Sequence, residues 1–230
     1  MPASPEFRSS PPRGRVLLFS PHPDDEVIGA GGALCLHREQ GDPVRVVIAT
    51  DGITGDPDAR FERQGYAESR RAESRAGLAR IGVGDVRFWG MPDSCVLSGQ
   101  DLEWGTTLCE RELGDYRPDI VYLPWEREGH PDHFALYVVV MRALRRSAFR
   151  GEALGYEVWH AMVPDLILDI TPVAGRKRAA IEEHGTQLAY VDMVHVTMGL
   201  DAHRSLIHMR GKGYGEAFRF LWPERDEPGA

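Results

Sequence analysis

VLLFSPHPDDEVIGAGG, residues 16–32, decides how this chain folds. The apolar run at 16–19 reads as a strand buried on both faces. It stops at a histidine and three consecutive acids, and from Val27 the pattern is helical to residue 39, where Gly41, Asp42 and Pro43 end it. A second apolar run follows at 44–49. Two such runs joined by a helix describe parallel strands of one sheet. The alternation continues outward: a helix over 61–81 closed by Gly82, a strand over 86–89, a helix over 101–113, a strand over 120–123 and a helix over 132–147. Two β-rich runs, 156–160 and 166–170, precede helices over 172–188 and 192–208. This pattern predicts an α/β, three-layer domain with a mostly parallel central sheet covered on both faces. In such sheets ligands sit beyond the carboxyl ends of the strands, and the acids of the quoted stretch stand at one.

A length of 230 residues suits one domain with a complete central sheet. Residues 1–13 are rich in Pro, Ser and Arg and are expected to be a flexible arm. Residues 14–222 are expected to form a single domain, and 223–230 a flexible tail. A formal net charge of −8 argues against sequence-independent nucleic-acid binding, which needs a basic face. No apolar stretch reaches the roughly 18 residues of a membrane span, and the first residues carry no apolar signal core. Cys35, Cys95 and Cys109 are odd in number, widely spaced and without a CxxC pair, which suggests a reducing compartment and a cytoplasmic protein. Nothing in the sequence specifies an oligomeric state.

The acids need a reason. His22 and Asp25 are three apart, so in a turn that is already helical both side chains reach one ion. Asp24 then points elsewhere, free to bind a water beside that ion. A second cluster, Gly129-His130-Pro131-Asp132-His133, follows the strand at 120–123 and opens the next helix. One His-Pro-Asp also reads as plain turn chemistry, with Pro setting φ and Asp capping. Two of them at separate strand-to-helix junctions do not, because capping needs no histidine. Two histidines and a carboxylate with one open position are the ligand set of a catalytic zinc hydrolase.

HPDDE at 22–26, Thr50-Asp51-Gly52, Arg70 with Glu73, Gly90-Met91-Pro92-Asp93, GHPDH at 129–133 and His184-Gly185-Thr186-Gln187 together resemble the LmbE/PIG-L-like N-deacetylases. The resemblance runs from about residue 16 to 220. It implies a Rossmann-like fold and a metal-dependent hydrolase that removes an N-acetyl group from a small-molecule acetylated aminosugar such as an N-acetylglucosamine derivative. It implies one Zn2+ per chain, or another divalent metal, on His22, Asp25 and His133. Asp24 would be the general base, and His130 would steady the oxyanion or protonate the leaving amine. Asp132 would orient His130 or His133, and Arg70 and Asp93 would hold sugar hydroxyls. The same site would serve a zinc amidase acting on a larger acyl amide or thiol conjugate. A non-catalytic nucleotide-binding module is a third reading, which the acids disfavour by repelling phosphate.

GAGG at 29–32 fails as a dinucleotide fingerprint because acids fill the turn where the glycines belong; these glycines are expected to let the helix approach the sheet. Trp89, Trp104, Trp125 and Trp159 read as core or rim packing, with a sugar-stacking platform as the alternative. His160, His195, His203 and His208 read as surface or capping residues, and His184 as core or as a partner of the site.

Overall fold

The computed structural model describes residues 4–94 and 99–223. Eight strands form one sheet: β1 (Glu6–Arg8), β2 (Val16–Ser20), β3 (Val44–Thr50), β4 (Asp85–Met91), β5 (Ile120–Pro124), β6 (Glu152–Tyr156), β7 (Leu166–Asp169) and β8 (Gly215–Trp222). Their spatial order is β1-β7-β8-β6-β5-β2-β3-β4. Every neighbouring pair is parallel except the two that β8 makes with β6 and β7. The helices are α1 (Asp25–Glu39), α2 (Tyr66–Arg80), α3 (Gly99–Tyr116), α4 (Pro131–Arg146), α5 (Ala174–Ile181), α6 (Gly185–Leu188), α7 (Met193–Arg204) and α8 (Leu206–Met209).

Alternate residues of the central strands feed two cores, as the period of two requires. Val16 and Leu18 of β2 lie in the core that contains Val27, Leu34, Leu78 and Ile181 of α1, α2 and α5. Leu17 and Phe19 lie in the other, with Cys109 and Leu113 of α3 and Leu136 and Val140 of α4. The expected three-layer α/β architecture is present. The chain leaves β2 toward β3 on one side and returns later to place β5 on the other. The gap between the carboxyl ends of β2 and β5 is therefore a topological switch point, where open α/β sheets bind ligands.

The sheet's far side departs from expectation. Residues 6–8, placed in a flexible arm, pair with β7 in parallel register because β7 would otherwise be an open edge. β8, beyond the last element that the sequence pattern names, fills the slot between β6 and β7. The β-rich run expected at 156–160 is displaced to Glu152–Tyr156, and the helices expected over 172–188 and 192–208 are each split in two. From residue 224 the expected tail lies outside the described residues, as does Cys95; Cys35 and Cys109 are buried and free.

α1 is kinked at Ala30 (φ −141°, ψ 17°). The kink frees the amides of Gly32 and Ala33, and the buried Glu216 of β8 accepts both, at 2.6 and 2.7 Å. Buried Lys177 of α5 balances that carboxylate at 2.8 Å and Asp201 of α7 at 2.7 Å. Gly29 is required where it stands, since a Cβ there would sit 2.2 Å from the Tyr156 ring. The glycines do bring the helix onto the sheet, as the sequence implied. Glu216→Ala is expected to cost about 3 kcal/mol or more, because it strands two buried amides and leaves Lys177 with Asp201 alone. A urea midpoint lowered at unchanged slope is the readout.

Candidate active site

The turn after β2 and the turn opening α4 meet at the switch point. Asp24 precedes α1 with φ 138°, a conformation rare for a side-chain-bearing residue and costing on the order of 1–3 kcal/mol. It is held from both ends. Its N–H donates to Glu26 at 2.9 Å, and its carbonyl accepts from Val27 and Ile28. Glu26 is buried and also accepts from Ser20 and, at 2.5 Å, from Ser74 of α2. Burial pushes its carboxyl up to about 7.

Three donors converge beneath this turn. His22 Nδ1 and His133 Nε2 each lie 3.0 Å from Asp25 Oδ2, and 3.3 Å from one another. Donors around a four-coordinate zinc with bonds of about 2.0 Å are about 3.3 Å apart, so these residues fit a divalent cation. Among the described residues, His22, His130 and His133, and His22, Asp93 and Asp132, are also mutually close enough to share an ion. The hydrogen bonds favour the first triad. His22 Nε2 faces Asp93 Oδ1 and Asp132 Oδ2, both at 3.1 Å, which would hold a proton there and leave Nδ1 to a bound cation. His130 Nδ1 instead accepts from the Asp132 N–H at 3.2 Å, leaving Nε2 protonated in the neutral ring.

The charges follow from burial and these partners. Burial alone lowers His22, but its three carboxylates outweigh this and raise it well above its ordinary value. Burial works against ionised Asp25, yet His133 and His22 hold it far below the carboxylate range; His22 and Thr54 do the same for Asp93. Burial pushes Asp24 up to about 8, with Arg70 opposing; a bound divalent cation beside it would draw it down again. His130 is lowered by burial and by the two neighbouring histidines.

Several expected partners are rearranged. The Asp132 carboxylate, expected to orient His130 or His133, faces His22 and accepts the Ser94 N–H at 2.8 Å, and it lies 3.9 Å from His130 Nδ1. The reason is direction, since the side chain at α4's first turn points back over the β2 loop. Glu128 faces His133 Nδ1 instead, at 3.6 Å with both side chains fully buried. Sequence reading missed Glu128, because three charges stand together at 126–128 and nothing local says which turns inward. Arg70 and Asp93, expected to hold sugar hydroxyls, line the cavity but are bound inward. Arg70 is 3% exposed and donates to Pro23 O, Gly52 O and Asp24 Oδ2 at 2.5, 2.9 and 2.9 Å. Asp93 accepts from Thr50 and twice from Thr54.

His184 is wholly buried, and among the described residues neither ring nitrogen has a hydrogen-bond partner, so it holds none of the described site residues by a hydrogen bond. Burial drops its pKa to about 3. The native state therefore refuses a proton that the unfolded chain takes below about 6.5, so this group's stability contribution is full above that pH and is lost on acidification toward 3. His184→Leu is expected to flatten stability against pH in that window by up to about 1.4 kcal/mol per unit, measured by urea melts at several pH values.

Residues 17–144 match the family described as PIG-L: GlcNAc-PI de-N-acetylase. The chain belongs to the PIG-L family. It is 31% identical, over 75% of this chain and 82% of the relative, to a probable N-acetyl-alpha-D-glucosaminyl L-malate deacetylase 2 of Bacillus subtilis. The N,N'-diacetylchitobiose deacetylase of Pyrococcus horikoshii superposes with a TM-score of 0.74 at 25% identity, covering 90% of this chain and 83% of that one. A 4-carboxy-2-hydroxymuconate hydratase of Pseudomonas putida superposes with a TM-score of 0.77 at 21% identity, covering 94% and 100%. That last likeness shows the fold alone, and it means that within this PIG-L chain the reaction must be argued from the site. Among the described residues no helix is long and apolar enough to cross a membrane.

Proposed function

We propose that this protein is a zinc-dependent N-deacetylase that hydrolyses the acetamide of an acetylated aminosugar to acetate and the free amine, in the cytoplasm. The observation that carries the reading is the triad of His22, Asp25 and His133 with donors 3.0–3.3 Å apart, beside a carboxylate bound to none of them. The cation would be held by His22 Nδ1, Asp25 Oδ2 and His133 Nε2, and when bound it supplies Lewis acidity and a water acidified toward neutral pH. Asp24 takes the proton of the attacking water, and Arg70 fixes the carboxylate from the other side. His130, through Nε2–H, donates a hydrogen bond to the oxyanion developing on the amide carbonyl, and the proton that Asp24 has taken passes to the departing nitrogen. Asp93 and Asp132 keep the His22 tautomer in place. A phosphate-binding reading has no support, because the Asp24, Asp25 and Asp93 carboxylates line the cavity.

The test is acetate release from a panel of N-acetylglucosamine conjugates set against bulkier acyl amides, with elemental analysis of the same preparation. Close to one zinc per chain, activity abolished by a chelator and restored by zinc, and preference for the acetyl sugars are expected. A fully active metal-free protein would overturn the metal assignment. Preference for large acyl groups would overturn the substrate.

A further inference from the structure

The cavity onto which His22, Asp25 and His130 open, about 140 Å³, has one aromatic wall and one polar wall. Trp159, in the loop after β6, forms the first; Thr54, Gly55 and Gln187 form the second. The indole is 59% exposed, yet its backbone is fastened. The buried Glu128 carboxylate accepts three consecutive amides, from Val158, Trp159 and His160, at 2.7, 3.0 and 3.4 Å, and the Trp125 indole N–H at 3.0 Å. The same carboxylate faces His133. Beside it the His160 ring lies against Gly129 so closely that a Cβ there would be 2.4 Å from it, and His160 Nδ1 approaches Arg127 O at 3.3 Å. The Trp159 loop and the turn bearing His130 and His133 are thus one body.

An exposed apolar ring needs no explanation by itself. One fixed in register with the reacting groups, across from polar side chains, has the form of a site for a flat ligand with an apolar face and a hydroxylated rim. We propose that Trp159 is the wall on which the pyranose ring of the substrate stacks, with Glu128 as the positioning residue that sets its distance from His130 and His133. This deepens the deacetylase reading and rests on it. Stacking removes apolar surface from water in ground and transition states alike, so it acts on KM rather than kcat.

The experiment compares wild type, Trp159→Ala and Trp159→Phe, zinc-loaded, on methyl 2-acetamido-2-deoxyglucopyranoside and on acyclic N-acetylethanolamine. For the glucoside, Trp159→Ala is expected to raise KM by roughly tenfold and Trp159→Phe to restore most of it. kcat should stay within about threefold, and the KM for the acyclic amide should not move. Saturation-transfer NMR on the sugar ring protons reads the same contact without turnover and should weaken in Trp159→Ala. An unchanged KM and unchanged saturation transfer in Trp159→Ala would overturn the stacking wall, as would equal losses on both substrates. A wild type that shows the transfer but releases no acetate would overturn the deacetylase reading and leave the wall standing.

Discussion

Asp24→Asn protein should bind its metal normally and lose roughly 100- to 10,000-fold in acetate release, the span of a positioned general base. The substitution is isosteric. Asparagine tolerates positive φ better than most residues, and its amide oxygen can still accept from Arg70. The Glu26 grip on the Asp24 N–H does not involve the side chain at all. What disappears is the capacity to accept a proton, in a carboxylate that a neighbouring divalent cation would keep ionised against its burial. Kinetics and metal content are to be measured on one preparation. Near-normal turnover with full metal would remove Asp24 from the chemistry.

The second large effect concerns the metal. His22→Ala removes one of the three converging donors, and metal per chain should fall well below one with activity lost. Zinc should then no longer raise the melting temperature, because a ligand stabilises the native state only through its affinity for it. Asp132→Asn tests the rearranged partnership. If Asp132 serves His22, as the 3.1 Å contact indicates, metal affinity should drop by about 10- to 100-fold while the fold is retained. Wild-type affinity in that variant would leave Asp93 alone as the group that orients His22.

Much of the site was legible because its residues sit at chain-local junctions. HPDDE and GHPDH each follow an apolar strand and open a helix, and strand ends in a parallel sheet share one edge. Their convergence therefore follows from topology. What reading along the chain does not give is the partners. Asp132 is one residue from His133 in sequence yet serves His22, 110 positions away. Glu128 looks like one of three surface charges until its carboxylate is found among the amides of Val158, Trp159 and His160. Arg70 and Asp93 were marked by motif, but their inward hydrogen bonds depend on how α2 and the loop after β4 close over the β2 turn.

The same division runs through the fold. Apolar runs of β length broken by helical spacing, with Gly and Pro as stops, were enough to determine a parallel α/β sheet and its acidic mouth. These signals come from backbone sterics and side-chain periodicity within a few residues. The tertiary structure alone decided that residues 6–8 would be a strand, that β8 would run antiparallel between β6 and β7, and that a glutamate of β8 would hold the kink of α1. Each is a pairing across a long stretch of chain. Such pairings are chosen by which edge, amide or charge remains unsatisfied when the rest of the molecule has packed.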